Sequence, residues 1–462
     1  MLSFLDVKRA DRNYEFFFGD LYGLMFNAGK RTSEKVMDEF GSGNRILIVC
    51  GTGNNAGDGM VAARLLSENN EVSVFPVKGK DSLRTPESRR AAGKYSGEII
   101  DLEQFHHKLG ECDIVVDALF GSGFTGAPKK PYDEIILAIN HSGRKIVSID
   151  VPSGMGSDIA VRPYMTVTFT DSKEGMNSEN SGKIFITDIG IPQKVFDHCG
   201  PGDFVYYKQA MTDSHKGMNG TVAIVGGWTF HGSAIFSAMG ALRSGADLVK
   251  VFCTSRNYNI IASYNPSIIV RNIDEPEVVR EVGNNNVIVL GPGLGKNQNP
   301  DALLGSLRDY HGIIILDAEG LEKFDEAREL CKDSRFILTP HKAEFVKLTS
   351  EEPNVENASK FSRRKNCTMI LKGVEDIITD GNRVMYSAGG NPRMTMGGTG
   401  DLLTGILASV SSRCEDPFRA ACLASFINKK TGDLAYRQRA LWYDLDDMIN
   451  LIPEVMKMSL EW

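Results

Sequence analysis

Residues 45–66 read RILIVCGTGNNAGDGMVAARLL, and this stretch decides the fold predicted for the first half of the chain. The run RILIVC is typical of a buried strand, and VAARLL has the apolar spacing of a helix. A loop rich in Gly, Asn and Asp joins the two segments. A strand that leads through such a loop directly into a helix predicts one unit of an α/β domain with a parallel sheet.

The same alternation of strand and helix continues along the chain. Near-continuous Val/Ile strands separated by helices indicate parallel sheets covered on both faces. The rhythm breaks at residues 192–213, starts again, and ends in a long helical tail after Asp401. We therefore predict an α/β fold with two three-layer α/β/α domains, residues 1–205 and residues 206–462. The other predicted strands are EVSVFPV, CDIVVDALF, RKIVSIDV, MTVTF, KIFITDIG, GTVAIVGG, DLVKVF, NVIVLGPGLG, GIIILDAEGL, RFILTPHKAEF, CTMILKG and EDIITDG.

The composition excludes several classes of protein. Hydrophobic residues make up 42% and charged residues 24% of the 462 residues, as in globular proteins. The formal net charge of -7 argues against nucleic-acid or anionic-membrane partners. No pair among the eight cysteines forms a CxxC motif, so neither a zinc ribbon nor a thioredoxin motif is expected. The charged start argues against a signal peptide, and no apolar run approaches the ~20 residues of a membrane span. A cytoplasmic protein with reduced thiols is predicted.

The loop after the first strand is not an ordinary nucleotide loop. Residues 51–56 formally fit the GxGxxG/A dinucleotide fingerprint, but the next strand ends VFPVKGK without the required acid. No GK[ST] follows, so the loop is not a P-loop either. The loop instead offers oxygen atoms from Asn54, Asn55 and Asp58. The alternative is a plain turn in which Asp58 faces the positive end of the helix dipole.

Two further strand ends carry polar side chains. VVDALFGSGFTG places Asp117 at the end of a strand, and VSIDVPSGMGSD places Asp150 and Ser153 likewise. Functional groups gather at the carboxyl ends of parallel strands. The oxygens of Asn55, Asp117 and Ser153 suit a hard cation, and Asp150 is left as a candidate acid or base. Each residue alone could also be a helix cap.

The most specific stretch of the second half is GGNPRMTMGGTGDLLTGIL. Small residues at 397–400 expose backbone N–H groups at the start of a helix, which makes an anion hole for a transferring phosphoryl group. Asp401 stands where it can accept a proton from an attacking hydroxyl. The alternative is a glycine-rich helix start that Asp401 merely caps.

Other strand-end loops add three candidates to this site. His341 follows a strand and either lines a cleft or is a packed polar residue. Asp317 and Glu319, in LDAEGL, are candidate carboxylates for a magnesium shell. For Glu319 a solvated turn is an equal alternative.

The first half resembles the NAD(P)HX epimerases, which invert the hydroxylated carbon of hydrated NAD(P)H. The motifs GNNxGDGxVAAR, VDALFGSGxxG and IDxPSG, with a lysine near TFTDSKEG, carry the resemblance. Ala56 replaces the family's usual Gly, and the stretch at 158–175 is short and divergent. The resemblance implies potassium held by Asn55, Asp117 and Ser153. It implies a substrate site formed by Asn54, Asn55, Ala56, Gly57, Asp58, Gly121, Ser122, Gly123, Phe124, Thr125, Gly126, Ala127 and Asp150.

The second half resembles the ribokinase-like superfamily and, within it, the ADP-dependent NAD(P)HX dehydratases. The motifs HKGMNGTVAIVGG, GPGLG, LTPHKAEF, LKG and GNPRMTMGGTGD carry this resemblance, although PHKAE and DAEG replace the usual PHPxE and DAD. The resemblance implies contacts with hydrated nicotinamide from Ala234, Gly293, His341 and Asp401. It implies an ADP site formed by Lys372, Gly373, Asn391, Met396, Gly397, Gly398, Thr399 and Gly400.

Together the two resemblances imply a bifunctional repair enzyme that contains both domains. One domain would interconvert R- and S-NAD(P)HX through Asp150 with K⁺. The other would dehydrate S-NAD(P)HX through Asp401 with ADP and Mg²⁺, giving AMP and phosphate. The expected partners are NADHX or NADPHX and ADP, and the related enzymes imply a homo-oligomer. No residue distinguishes ADP from ATP or NADHX from NADPHX. The alternatives are a vitamin-precursor kinase and, for the first half, a nucleotide-sensing or scaffold module.

Overall fold

The computed structural model describes residues 1–296, 298 and 300–461. The chain divides into two compact units, Met1–Val195 and Phe196–Trp462. The sequence placed the boundary after residue 205, somewhat later along the chain than this division. Each unit contains a β-sheet and helices, which confirms the α/β class.

The first unit is built on a seven-stranded sheet. Its strands are β1 (Arg45–Cys50), β2 (Glu71–Pro76), β3 (Glu98–Ile99), β4 (Ile114–Ala118), β5 (Lys145–Ile149), β6 (Met165–Phe169) and β7 (Lys183–Thr187). Its helices are α1 (Phe4–Phe18), α2 (Leu21–Phe40), α3 (Asn54–Leu66), α4 (Pro86–Gly93), α5 (Leu102–Glu111), α6 (Tyr132–His141) and α7 (Ser178–Ser181), with a 3-10 turn at Lys80–Ser82. The short helix α8 (Lys194–Asp197) spans the division between the units.

The strand order is β3-β2-β1-β4-β5-β6-β7, and every neighbouring pair is parallel. Along β1, alternate residues enter opposite cores: Ile46 and Ile48 pack on one side, and Leu47 and Val49 on the other. The strand order reverses between β1 and β4, where open α/β sheets form their binding crevice. The loops that follow β1, β4 and β5 therefore meet at this edge.

The second unit contains a nine-stranded sheet. Its strands are β8 (Thr221–Val225), β9 (Leu248–Cys253), β10 (Ile268–Asn272), β11 (Val287–Leu290), β12 (Ile313–Leu316), β13 (Arg335–Leu338), β14 (Thr368–Leu371), β15 (Asp376–Thr379) and β16 (Val384–Ser387). Its helices are α9 (His231–Arg243), α10 (Ser255–Tyr264), α11 (Pro276–Val279), α12 (Asp301–Ser306), α13 (Phe324–Leu330), α14 (Lys342–Thr349), α15 (Val355–Lys365), α16 (Thr399–Ser411), α17 (Pro417–Arg439) and α18 (Leu445–Glu461). Its 3-10 turns are Pro201–Tyr206, Val282–Asn284, Ala318–Lys323, Pro392–Thr395 and Ala440–Trp442.

The strand order of this sheet is β10-β9-β8-β11-β12-β13-β14-β15-β16. The pairs from β10 to β14 are parallel, whereas β15 and β16 form an antiparallel edge. Helix α16 packs closely against α9 because glycines lie at the contact. A Cβ on Gly405 would overlap the Ser237 carbonyl oxygen, and a Cβ on Gly240 would lie 2.6 Å from the Leu402 carbonyl oxygen. Helix α16 also contacts β8, β11 and β12. The glycines thus allow α16 to lie deep in the unit.

The cysteines and the lengths of the helices also bear on the class of protein. All eight cysteines are buried, and none is joined to another in the structure. Within the described part of the chain, no helix combines the length and the apolar character that a bilayer span needs.

Candidate functional site

The loop after β1 leaves a buried amide without a partner. Helix α3 begins at Asn54 after Gly53, and no side chain caps it. A Cβ on Gly51 would overlap the Leu119 carbonyl oxygen, so glycine lets the loops after β1 and β4 meet. Asn55 is 6% exposed, and neither its Oδ1 nor its Nδ2 has a hydrogen-bond partner. Because an unsatisfied buried polar group costs about 1–3 kcal/mol, this side chain is suited to a polar ligand.

Asp117 ties the end of β4 to the loop after β5. Its carboxylate is fully buried, and Oδ1 accepts hydrogen bonds from Ser153 Oγ at 2.6 Å and Leu119 N at 3.2 Å. Oδ2 accepts from Ser148 Oγ at 2.8 Å and Ser153 N at 2.9 Å. Burial raises the pKa of Asp117 above its usual value, although these donors oppose the shift. The predicted pair of oxygen ligands, Asp117 and Ser153, is therefore in direct contact.

The loop after β4 links this pair to Asn55. The Phe120 N–H donates to Ser153 Oγ at 2.9 Å. A Cβ on the next residue, Gly121, would lie 3.4 Å from Asn55 Cβ and 3.3 Å from Asp150 Oδ2. The structure thus brings the three residues of the predicted cation site to one place, beside the candidate acid or base Asp150.

Asp150 is held by a buried lysine. Its backbone has a φ of +66°, and its Oδ2 accepts from Ser122 N at 2.9 Å. Its Oδ1 lies 2.8 Å from Nζ of Lys173, which is 2% exposed and also donates to Thr168 Oγ1 at 2.8 Å. Burial alone would raise the pKa of Asp150, but the charge of Lys173 and the hydrogen bonds from Lys173 and Ser122 together outweigh it and hold the pKa below the usual value. Asp150 is therefore a carboxylate at neutral pH.

Two other acids interact with Asp150. Desolvation by the surrounding protein raises the pKa of Asp11, on α1, to about 7, although this residue is exposed to solvent. The charge of Asp150 raises that pKa further, and Lys173 lowers it. Burial and the charges of Asp150 and Asp11 also raise the pKa of Asp58. Neither the position of Asp11 nor a role for Lys173 was predicted from the sequence.

The remaining residues of this predicted site differ in accessibility. The side chain of Ala56 is fully buried, and Gly57 is buried as well. Within the loop at 121–127, the ring of Phe124 stacks on Phe120 at 4.1 Å, and Gly126 has a φ of +88°. The loop residues exposed to solvent are Gly123, Thr125, Gly126 and Ala127.

In the second unit, the N-terminus of α16 is open. The helix begins at Thr399, and no side chain caps it. Gly398 has a φ of +97°, and a Cβ there would overlap Leu445. A Cβ on Gly397, by contrast, would meet no atom within 4 Å. Unpaired N–H groups at a helix start attract anions, so the predicted anion hole has the expected backbone.

Asp401 lies in the first turn of α16 with a perturbed acidity. Burial raises its pKa to about 7, and the charges of Asp317 and Glu319 contribute to the rise. A hydrogen bond from Ser233 and the charge of Lys372 oppose the rise. A carboxyl group that titrates near neutral pH is suited to general base catalysis.

Lys372 lies beside the start of α16. Its Nζ is 2.9 Å from Asp317 Oδ1 and 3.9 Å from Glu344 Oε2. A Cβ on Gly400 would lie 3.4 Å from this nitrogen. Burial lowers the pKa of Lys372, but the neighbouring carboxylates raise it above the usual value. A permanent positive charge therefore stands next to the anion hole.

His341 and Asn391 are engaged by their own chain. The Nδ1 of His341 accepts from the backbone N–H groups of Ala343 and Glu344 and caps α14, so Nε2 carries the proton. The side chain of His341 is 55% exposed. Asn391 Oδ1 accepts from Tyr443 Oη at 2.9 Å. His341 is therefore a helix cap whose Nε2 lies 3.4 Å from Glu344 Oε1, a role that was not predicted from the sequence.

The other predicted residues of this half divide into buried and accessible positions. Ala234 is fully buried, and Gly293 is buried with its would-be Cβ 3.3 Å from Ser233, the residue bonded to Asp401. Gly373 and Gly397 are exposed, and Met396 is half-buried. Among the described residues, no three His, Cys, Asp or Glu side chains form a ready metal site.

Two family models match the chain, one in each half. The YjeF-related protein N-terminus matches residues 21–175. The model described as NAD(P)H-hydrate dehydratase matches residues 222–454, which is half of the chain. Each match includes the polar residues described above for its unit, except Asp11.

A solved structure and two relatives extend these matches. A ribokinase-like superfamily protein of Enterococcus faecalis V583 is 23% identical, with a TM-score of 0.51, over 57% of this chain and 96% of that one; this likeness bears on the fold alone. A bifunctional NAD(P)H-hydrate repair enzyme of Archaeoglobus fulgidus is 34% identical over 98% of each chain. A protein of Methanopyrus kandleri with the same name is 34% identical over 98% of this chain and 96% of that one. The chain therefore belongs to the family of bifunctional NAD(P)H-hydrate repair enzymes.

Proposed function

We propose that this chain repairs hydrated NAD(P)H in two steps. The first unit interconverts R- and S-NAD(P)HX, and the second unit dehydrates S-NAD(P)HX to NAD(P)H with ADP, giving AMP and phosphate. Asp401 carries this proposal, because a carboxyl group with a pKa of about 7 stands at an open helix start beside the charged Lys372. The Asp150–Lys173 pair gives the first unit its own proton-transfer group.

The dehydration needs a better leaving group than hydroxide. Asp401 takes the proton of the substrate hydroxyl, and the hydroxyl oxygen attacks the β-phosphorus of ADP. The bond from that phosphorus to the bridging oxygen breaks, and AMP leaves. Phosphate then departs with the C–O electron pair, the ring nitrogen supplies electrons, and loss of the neighbouring C–H proton restores the double bond. The amides at 399–401 and Lys372 stabilise the charge on the moving phosphoryl group. Bound Mg²⁺ neutralises charge on the nucleotide phosphates.

The epimerisation uses proton transfer without phosphate. Asp150 takes the hydroxyl proton as the bond from the hydroxyl-bearing carbon to the ring nitrogen breaks, and the ring nitrogen takes up a proton. Reclosure on the other face of the resulting aldehyde returns both protons and inverts the carbon, and Lys173 keeps the Asp150 carboxylate ionised between transfers. The orphaned amide of Asn55 fits a role as an oxygen ligand of K⁺ with Asp117 and Ser153. Bound K⁺ supplies a fixed positive charge that orders the loops after β1, β4 and β5.

The pH dependence of dehydration follows from Asp401. Its carboxyl must be ionised to take the proton, so kcat/KM for the hydrate is expected to fall roughly tenfold per pH unit below about 7 and to level off above it. Rates measured across this range with ADP at saturation check the prediction. A rate that stays constant through about pH 7 contradicts the assignment of Asp401 as the base.

The potassium site gives a second prediction, with a readout besides activity. Exchange of KCl for NaCl at equal ionic strength is expected to lower the midpoint of thermal unfolding of the first unit and to slow epimerisation. Asn55→Ala is expected to remove this salt difference, because the orphaned amide is gone. Asn69→Ala, at an exposed position in the same unit, serves as the matched control. Equal unfolding midpoints of the wild-type protein in the two salts contradict the site.

One assay tests the proposed function as a whole. The protein is incubated with a mixture of both epimers of hydrated NADH, ADP and Mg²⁺, and the NADH absorbance and both epimers are followed. Complete return of NADH with formation of AMP and phosphate is expected. A phosphorylated product that accumulates without NADH indicates a small-molecule kinase instead.

The domain boundary at 205, the homo-oligomer, the cytoplasmic location and the lack of nucleic-acid and membrane partners stay predictions from sequence.

A further inference from the structure

Asp317 connects the predicted phosphate site to the sheet. It directly follows β12 and is 3% exposed. Its Oδ1 accepts hydrogen bonds from Lys372 Nζ at 2.9 Å and Thr339 Oγ1 at 2.8 Å. Its Oδ2 accepts from Thr404 Oγ1 at 2.9 Å. Each carboxylate oxygen therefore accepts at least one hydrogen bond from the protein.

The three donors come from different elements. Lys372 follows β14, and Thr339 follows β13, the strand between β12 and β14 in the sheet. Thr404 lies on α16, one turn beyond the open helix start, and its hydroxyl is also 2.9 Å from the Gly400 carbonyl oxygen. One carboxylate thus joins the ends of three neighbouring strands to the helix that forms the anion hole.

The backbone around Asp317 fixes the direction of this side chain. Its N–H donates to the Leu290 carbonyl at 3.2 Å, and its carbonyl accepts from Gly320 N at 2.9 Å. A Cβ on Gly291 would overlap the Asp317 carbonyl oxygen, so this approach requires glycine. The following residue, Ala318, has a φ of +48°. A carboxylate on a backbone held at both sides provides a stable anchor for a flexible lysine.

We propose that Asp317 is a positioning residue of the dehydratase site, which holds the Lys372 ammonium beside the start of α16, and that it does not bind magnesium. This inference rests on the proposed function. A lysine side chain is long and flexible, so an anchor of opposite charge fixes where its charge is placed. The charge of Asp401 already contributes to the raised pKa of Lys372. Without Asp317, the ammonium would be free to form an ion pair with the Asp401 carboxylate, which would then not be available as the base.

The test uses three variants of the full chain and measures both activities. Asp317→Asn is expected to lower kcat of dehydration about 10- to 100-fold, because the charge of Lys372 acts on the transferring phosphoryl group. The KM for ADP is expected to change less than about threefold, and the Mg²⁺ concentration for half-maximal rate stays that of the wild type. Thr404→Val, which removes the hydrogen bond from α16 to Asp317, is also expected to lower kcat. Thr404→Ser keeps the hydroxyl and retains the wild-type kcat.

The other outcomes separate the explanations. If Asp317→Asn raises the Mg²⁺ requirement and excess Mg²⁺ restores kcat, Asp317 is a metal ligand and the proposal is wrong. Wild-type kinetics of both Asp317→Asn and Thr404→Val overturn it as well. If Asp317→Asn does not fold, as loss of the cooperative unfolding transition of the second unit would show, the kinetics of Thr404→Val alone test the proposal. If the wild-type chain itself does not dehydrate the hydrate with ADP, the proposed function fails rather than this assignment.

Discussion

Asp401→Asn is expected to abolish dehydration of hydrated NAD(P)H and to leave epimerisation at the wild-type rate. The amide has nearly the shape of the carboxyl group but cannot take the hydroxyl proton. Loss of a general base costs about 10²- to 10⁴-fold in rate. The residue lies in the second unit, whereas Asp150 and Lys173 lie in the first, so the two activities are expected to separate. Return of NADH absorbance with ADP measures dehydration, and chromatography of the two hydrate epimers measures epimerisation.

Asp333→Asn is the matched control for this variant. Asp333 is an exposed acid of the same unit, 3.8 Å from the exposed His311, so its change is expected to leave both activities intact. Loss of both activities in Asp401→Asn would argue against separate sites. Dehydration within a few fold of the wild-type rate would show that another group takes the proton.

The second large effect is expected at the buried pair of the first unit. Asp150→Asn removes the proton-transfer group and leaves the charge of Lys173 buried without its partner. Breaking a buried ion pair from one side costs about 3–5 kcal/mol of stability. We therefore expect loss of epimerisation together with a lower free energy of unfolding. Dehydration of the S epimer persists, so a mixture of epimers returns only part of its NADH.

A double variant separates stability from chemistry at this pair. Asp150→Asn with Lys173→Met removes both charges and is expected to recover much of the lost stability, because no buried charge is left unpaired. Epimerisation is not expected to return. Chemical denaturation measures the first result, and the conversion of one purified epimer into the other measures the second. A double variant that epimerises as fast as the wild type would show that Asp150 does not act on the substrate.

Local patterns carried the prediction of the fold. A strand that is buried on both faces of its sheet has a nearly continuous apolar sequence. The runs of β1, β4 and β5 have this character, and helical segments separate them. The antiparallel edge formed by β15 and β16 was not predicted. The run EDIITDG is short, and so short a run does not show in which direction the neighbouring strand lies. The length of the connection between two strands decides whether they can pair as a hairpin, and the sequence of either strand alone does not show it.

The candidate sites were predictable where their residues follow strands. Asn55, Asp117 and Ser153 were expected at one edge because the carboxyl ends of parallel strands meet there. The bond between Lys372 and Asp317 joins residues 55 positions apart, and no local motif marks it. The sequence left His341 as a residue that lines a cleft or a packed polar residue, and it did not predict that Nδ1 caps α14. Partner choice between distant side chains depends on tertiary packing, which a single sequence does not reveal.

The position of the nucleotide phosphates tests the central claim most directly. In a crystal structure of the full chain with ADP and Mg²⁺, the β-phosphate is expected within hydrogen-bond distance of the amides at 399–401 and of Lys372 Nζ. The Asp401 carboxylate is expected to face the hydroxyl of bound hydrate. A nucleotide bound elsewhere, with this helix start empty, would contradict the account.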